Sequence, residues 1–289
     1  MSRPVNLKTK IFLDSGDPQE TREALELLGF LEGQTTNPSL IAKNPELKKK
    51  LGVGEALSLQ DINEFYKKVV TEISDMIPEG SVSVEVYADA HTSVEEMLAQ
   101  AHAMNTWIPN AHIKLPITKS GLESAQILSQ EGVRLNMTLC FSQEQGASVY
   151  SATQGRSKGD VFLSPFIGRL DDRGEDGMNF IQNMVRMFAT SDGHIELLAA
   201  SARTYAHLLE CLRLEVDIVT LPIKIIREWV DHGLEMPGAE FVYDAGVLKK
   251  LAYETVDLNQ SFHTYNIQHD LTDAGLAKFA SDWNGLISK

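Results

Sequence analysis

The chain has 289 residues, of which 43% are hydrophobic and 23% charged, as in ordinary soluble globular proteins. Lysine and arginine number 26 and aspartate and glutamate 40, so the net charge is −14. This balance argues against nucleic acid or an anionic membrane surface as a partner. An anionic ligand would have to be held by a few local cations.

Two cysteines, Cys140 and Cys211, are too few for a disulfide framework, and no Cys/His spacing is typical of zinc binding. Only three apolar residues follow the basic N-terminus before Asp14, which is too short for a signal peptide. No apolar run approaches the roughly 18 residues of a membrane span. We therefore expect a cytoplasmic protein with no metal site.

Short apolar runs alternate with longer segments of helical period over the first 235 residues. Eight runs are predicted to be strands: 10–14, 33–37, 81–87, 111–115, 134–139, 160–164, 194–199 and 216–221. This alternation predicts an α/β fold, a (β/α)8 TIM barrel, although a doubly wound open sheet gives a similar pattern. One barrel fills roughly 250 residues, so a single large domain fits the length.

The strand and helix alternation stops near residue 235. We expect residues 236–289 to form a mostly helical C-terminal tail that packs on the barrel domain of residues 1–235. Apolar residues recur there at helical spacing: Leu276, Phe279, Ala280, Trp283 and Ile287. Thr272 is the predicted N-cap of this last helix.

Polar residues share one face of three predicted strands, opposite an apolar face. In strand 81–87, Val82, Val84 and Val86 occupy one face and Glu85 lies on the other. The outer face of a barrel strand packs on helices, so the polar residues are predicted to point inward. They are Glu85, Lys114, Asn136 and Thr138, joined by Asp14 and Ser164 at the ends of their strands.

A lysine inside a barrel is rarely there for stability, although an ion pair with Glu85 or Asp14 would be a purely structural explanation. We favour an acid/base site with an amine nucleophile, because carboxylates, an amide and hydroxyls converge on Lys114. With an ordinary pKa near 10.4, about one lysine in 2,500 is neutral at pH 7, so burial should lower the pKa by about 3 units. An ionised carboxylate opposes this, so Glu85 is expected to act through a water or to be held at a distance.

Arg169 and Arg203 each follow a predicted strand, at the end of a barrel where active sites lie. Guanidinium groups bind phosphate with paired hydrogen bonds, so the two arginines are candidates for an anion site. The structural alternative for each is a surface ion pair.

Several stretches resemble the transaldolase family, and the resemblance covers most of the chain. They are LDSGD at 13–17, TTNPSLI at 35–41, SVEV at 83–86, HIKLP to LCFS at 112–142, FLSPFIGR at 162–169, AASAR at 199–203 and KFASDW at 278–283. The resemblance implies a (β/α)8 barrel that needs no metal or organic cofactor. It also implies transfer of dihydroxyacetone from sedoheptulose 7-phosphate to glyceraldehyde 3-phosphate, giving erythrose 4-phosphate and fructose 6-phosphate.

The resemblance assigns a role to each candidate residue. Lys114 would form the Schiff base, Asp14 would deprotonate the C4 hydroxyl, and Glu85 would act on a water that Thr138 positions. The substrate-binding residues would be Asn37, Asn136 and Ser164 for hydroxyls, Arg169, Ser201 and Arg203 for the phosphate, and Phe166 on the wall of the site. Sugar phosphates are thus the expected partners, and a homodimer is allowed.

Two alternatives stay open. A fructose-6-phosphate aldolase of the same superfamily resembles this chain but has glutamine and tyrosine at the positions of Glu85 and Phe166, so both residues favour a transaldolase. A non-catalytic barrel that binds sugar phosphates is disfavoured by the joint presence of Lys114, Asp14 and Glu85. Tyr87 in EVYADAH and Ala202 in AASAR depart from the family pattern and put substrate fit in question more than chemistry.

Overall fold

The structure, a computed structural model, describes residues 2–52 and 57–287. Eight parallel strands follow one another around a closed barrel in chain order. They are β1 Lys10–Asp14, β2 Gly33–Thr35, β3 Ser81–Glu85, β4 Ala111–Pro116, β5 Leu135–Cys140, β6 Val161–Pro165, β7 Ile195–Ala199 and β8 Ile218–Leu221. Strand β8 pairs with β1 and closes the sheet. The predicted (β/α)8 barrel is confirmed, and the open sheet is excluded.

Helices connect the strands around the outside. They are α1 Pro18–Leu28, α2 Pro38–Ala42, α3 Pro45–Gly52, α4 Leu59–Met76, α5 Val94–Asn105, α6 Lys119–Gln130, α7 Gln143–Ala152, α8 Ile167–Asp171, α9 Gly177–Phe188, α10 Tyr205–Arg213, α11 Ile223–Asp231 and α12 Asp270–Asn284. None of the described helices is long and apolar enough to cross a membrane.

Strands β2 and β3 end two residues earlier than predicted. Strand β2 stops at Thr35 because Asn37 is the N-cap of α2, and its side-chain oxygen accepts a hydrogen bond from the Leu40 amide at 2.9 Å. Pro38 then occupies the start of the helix, where a missing N–H costs nothing. Asn37 is therefore placed at the mouth of the barrel by a helix cap, not by a strand.

Aromatic rings fill the barrel interior. The His112 ring stacks on Phe162 with centroids 4.0 Å apart, and Phe12 meets Phe162 edge to face at 5.9 Å. His112 is also hydrogen-bonded to Ser81 Oγ at 2.7 Å and to the Gly159 carbonyl at 2.9 Å. Burial lowers the pKa of His112 to about 3, so this imidazole is neutral and structural. The packed interior leaves the carboxyl ends of the strands as the place for a site.

The C-terminal tail is helical only in part. Residues 236–261 form neither helix nor strand, a 3-10 turn covers Phe262–Thr264, and α12 packs on α2 and β5. The expectation of a mostly helical tail is wrong for 236–261, where Pro237, Gly238 and Gly246 interrupt any helical pattern.

Thr272 is not the N-cap of α12. His269 has that position, and its ring nitrogen accepts a hydrogen bond from the Leu271 amide. The Thr272 hydroxyl instead donates to the Leu139 carbonyl at 3.0 Å and accepts from Gln145 Nε2 at 2.8 Å. Thr272 therefore ties α12 to the carboxyl end of β5.

We predict that Thr272→Val lowers the free energy of unfolding by about 1–3 kcal/mol, because the buried Leu139 carbonyl loses its partner while side-chain shape is kept. The matched control is Thr71→Val on α4, whose exposed hydroxyl donates to the Lys67 carbonyl. Urea unfolding of both variants measures the difference. A Thr272→Val protein as stable as the Thr71→Val protein would show that this contact does not hold α12.

Candidate active site

A cavity of about 270 Å³ opens at the carboxyl end of the barrel. Eight of the eleven predicted site residues line it: Asp14, Asn37, Lys114, Ser164, Phe166, Arg169, Ser201 and Arg203. The other three, Glu85, Asn136 and Thr138, are buried on β3 and β5. Residues from seven separate segments of the chain are thus brought to one end of the barrel, as strand alternation predicts.

Lys114 and Glu85 form a buried ion pair. They are direct neighbours in the register of β3 and β4, and Lys114 Nζ lies 2.8 Å from Glu85 Oε2 with both side chains less than 5% exposed. Lys114 Nζ also donates to the Thr36 carbonyl at 3.4 Å. The expectation that Glu85 stays at a distance from the amine is wrong, because adjacent positions in paired strands place the two side chains together. Burial raises the pKa of Glu85, and the positive charge of Lys114 opposes that rise.

Asp14 is the second carboxylate of the site. Thr35 Oγ1 donates to Asp14 Oδ1 at 2.7 Å, and the Thr35 hydroxyl in turn lies 2.7 Å from that of Thr220. Burial raises the pKa of Asp14, against the charge of Lys114 and the Thr35 hydrogen bond. Sequence reasoning missed Thr35 and Thr220, although the alternation of IVTL in β8 places Thr220 inward.

Asn136 and Ser164 belong to one buried hydrogen-bond chain. Ser164 Oγ donates to Asn136 Oδ1 at 2.6 Å, and Asn136 Nδ2 donates to Ser83 Oγ at 2.9 Å. These contacts fix the orientation of the amide, and they confirm that Asn136 and Ser164 face the same interior. Thr138 Oγ1 is buried and makes no hydrogen bond within the described residues.

Helix α8 and the turn after β7 are held against each other. The Ile167 amide donates to the Ala200 carbonyl at 3.0 Å, and the Gly168 amide donates to the Ser201 carbonyl at 3.1 Å. Ser201 has a positive φ of 60°, which is strained for a residue with a side chain. A Cβ at Gly168 would lie 2.4 Å from the Ser201 oxygen, so only glycine allows this approach. The contact brings Arg169 and Arg203 to one rim.

The two arginines differ in their partners. Arg203 forms an ion pair with the exposed Asp172. Arg169 makes no hydrogen bond within residues 2–52 and 57–287, and its guanidinium lies 5.3 Å from the ring centre of Phe166. Burial lowers the pKa of Arg169. Its donors are free to bind an anion in the cavity.

Helices α2 and α12 add wall residues that sequence reasoning did not assign to the site. They are Ser39 and Lys43 near α2, and Lys278, Phe279 and Asp282 on α12. Asp282 accepts a hydrogen bond from Ser39, which joins the two helices across the mouth, and it also contacts Lys278 within α12. The quoted KFASDW segment was the available signal, since it contains three of these residues.

The arrangement supports chemistry on a carbonyl compound. It combines a primary amine, two buried carboxylates and a cationic rim, which suits imine formation with proton transfer on a phosphorylated substrate. Within the described residues, no group of three or more His, Cys, Asp or Glu side chains could hold a metal ion.

A family model described as transaldolase/fructose-6-phosphate aldolase matches residues 11–289. The chain belongs to this family. The match begins at the second residue of β1 and includes all the later strands and every predicted site residue. The resemblance given by the sequence motifs is therefore confirmed.

Curated relatives from several bacteria are named probable transaldolases. A "Probable transaldolase" of Dehalococcoides mccartyi is 34% identical over 277 residues, which is 96% of this chain and 99% of that protein. One from Brucella melitensis biotype 1 is 38% identical over 231 residues, covering 80% of this chain and 93% of the relative. One from Cytophaga hutchinsonii is 36% identical over 236 residues, covering 81% and 97%. The likeness to probable transaldolases thus covers between 80% and 96% of this chain.

We predict that Asp14→Asn makes the folded protein more stable than the parent at neutral pH. Burial raises the pKa of Asp14 in the folded protein above its ordinary value of 3.8. Between these two pKa values the folded state keeps a proton that the unfolded chain has lost, so the stability of the parent falls as the pH rises through this interval. The gain should shrink as the pH falls towards about 4.

Urea unfolding at several pH values measures this gain, with the exposed Asp231→Asn on α11 as the matched control. A parent that is more stable than Asp14→Asn at neutral pH would contradict the inferred strain at this carboxylate.

Proposed function

We propose that this protein is a transaldolase that moves a dihydroxyacetone unit from sedoheptulose 7-phosphate to glyceraldehyde 3-phosphate through an imine on Lys114. The observation that supports this most is the Lys114 amine 2.8 Å from Glu85, in a cavity that also holds Asp14 and Arg169. The names of the curated relatives agree with the proposal.

Imine formation requires a neutral Lys114 amine. Glu85 is the closest carboxylate, and burial raises its pKa, so it can take the proton from the ammonium and leave two neutral groups in a buried site. The amine then adds to the ketose C2 carbonyl, and the C2 oxygen leaves as water. Thr138, whose buried hydroxyl has no protein partner in the described chain, is the group we assign to positioning that water.

Carbon–carbon cleavage is assigned to Asp14. Loss of the C2 oxygen as water takes the proton back from Glu85 and leaves a protonated imine. The Asp14 carboxylate takes the proton of the C4 hydroxyl, the C3–C4 bond breaks, and the bonding electrons move into the protonated imine to give a neutral enamine on Lys114. Erythrose 4-phosphate leaves as the aldehyde product. The enamine C3 then attacks the aldehyde carbon of glyceraldehyde 3-phosphate, and Asp14 returns the proton to the new hydroxyl. Water hydrolyses the imine and releases fructose 6-phosphate.

Substrate binding is divided between the interior and the rim of the cavity. Asn136 and Ser164 are the groups for the dihydroxyacetone hydroxyls. The Asn37 amide nitrogen makes no hydrogen bond to the described residues, since only its oxygen is used in the α2 cap. Arg169, whose donors make no hydrogen bond within the described part of the chain, is the group we assign to the phosphate. Ser201 and Arg203 come to the same rim from the turn after β7.

The runner-up function is a fructose-6-phosphate aldolase, which releases dihydroxyacetone without an acceptor. Net cleavage requires protonation of the enamine carbon, and Phe166 at the cavity wall has no group that can donate a proton or bind water there. The departure at Tyr87 lies beside the site rather than in it, since its hydroxyl contacts Asp89 and Asn284. These features favour transfer over cleavage.

A coupled assay tests the proposal. Fructose 6-phosphate is supplied with and without erythrose 4-phosphate, and release of glyceraldehyde 3-phosphate is followed. We predict steady turnover with the acceptor and a single burst of one product per active site without it, because the enamine waits on Lys114. Lys114→Met should lower turnover roughly a thousandfold or more, and Lys119→Met at the start of α6 is the matched control.

Two other outcomes would change the assignment. Equal steady release with and without acceptor would make the protein an aldolase. Absence of release under both conditions would leave a sugar-phosphate-binding barrel.

The cytoplasmic location and the homodimer stay predictions.

A further inference from the structure

Helix α12 places an aromatic ring against both cations of the site. Phe279 is 5% exposed, and its ring centre lies 5.9 Å from Lys114 Nζ and 5.3 Å from the Arg169 guanidinium carbon. Phe166 has nearly the same relation to both cations, at 5.8 and 5.3 Å. Arg169 is therefore close to two phenylalanine rings. Phe166 comes from the barrel and Phe279 from the C-terminal tail.

The rings of Phe166 and Phe279 pack against the Arg169 guanidinium, and the charges of Glu85 and Asp172 also act on it. The Arg169 guanidinium makes no hydrogen bond to the described residues, and burial removes part of its hydration. The face of an aromatic ring carries negative charge density and attracts a cation within about 6 Å. The two ring faces thus contribute to the orientation of Arg169, while its N–H donors make no hydrogen bond within the described residues.

The backbone of α12 is shaped for this contact. A Cβ at Gly275 would lie 2.4 Å from Arg169 Nη1 and 2.6 Å from Leu139 Cδ2, so any larger residue there would displace the Arg169 and Leu139 side chains from these positions. Gly275 and Phe279 are four residues apart and share one face of the helix. The Thr272 bond to Leu139 and the Asp282 contact with Ser39 fix the helix on either side of that face.

We infer that Phe279 is a positioning residue for phosphate recognition: together with Phe166 it holds the Arg169 guanidinium in the cavity with its donors directed at the phosphate group of the substrate. The inference rests on the proposed function, and it adds a residue of the C-terminal helix to the specificity of the site. Phe279 acts through Arg169, so its effect belongs to binding of the phosphate rather than to the bond-making steps.

The test compares Phe279→Leu, which keeps apolar volume and removes the ring face, with Trp283→Phe. Trp283 is a buried aromatic residue one turn further along α12, and its Nε1 has no hydrogen-bond partner in the described chain, so the control perturbs the helix without touching Arg169. Binding of inorganic phosphate is measured by titration calorimetry at fixed ionic strength. KM and kcat for fructose 6-phosphate are measured in the presence of erythrose 4-phosphate.

For Phe279→Leu we expect the phosphate Kd and the KM to rise about fivefold, the size of one partly buried cation–π contact, with kcat within about twofold of the parent. Trp283→Phe should change neither constant by more than about twofold. The inference is overturned if the phosphate Kd of Phe279→Leu stays at the parental value, or if Trp283→Phe raises it equally. A parent that binds phosphate but turns nothing over refutes the proposed function alone, since the calorimetric comparison does not depend on catalysis.

Discussion

Burial of the Lys114 and Glu85 pair at the end of a closed barrel is the constraint on which the site depends. Removing both charged groups from water costs free energy that their mutual attraction does not fully return. The register of β3 and β4 nevertheless fixes them side by side at 2.8 Å. Such a pair lets one proton move between nitrogen and oxygen without creating a net charge, which is what an amine nucleophile requires.

The residues around the Lys114 and Glu85 pair support this proton transfer. Below it, the rings of Phe12, His112 and Phe162 pack against one another in the barrel interior. Beside it, the Thr35 hydroxyl supports Asp14 in its charged form against the burial that raises the pKa of this carboxyl. Above it, Phe279 and the rest of α12 narrow the mouth. The tail therefore lines the candidate active site, although it lies outside the barrel strands.

Most of the predicted site residues inside the barrel were found from the alternation of side chains along strands. Because Val82 and Val84 share one face of β3, Glu85 was predicted to point inward from the other face. The same reasoning placed Lys114 and Asn136. It failed where a local feature ends the strand, as at Asn37, because a helix cap overrides strand alternation. It also could not find the contact between Phe279 and Arg169, since no local pattern encodes how a helix more than 100 residues away crosses the barrel mouth. The role of Ser201 came from family resemblance alone, whereas Arg203 was also a candidate from its place after a predicted strand.

The most direct test of the central claim is reduction with borohydride in the presence of fructose 6-phosphate, followed by peptide mass spectrometry. The account predicts one stable adduct of the reduced sugar, on the peptide that contains Lys114, and none in Lys114→Met. An adduct on Lys119 or Lys224 instead, or no adduct in a protein that is fully active, would contradict it.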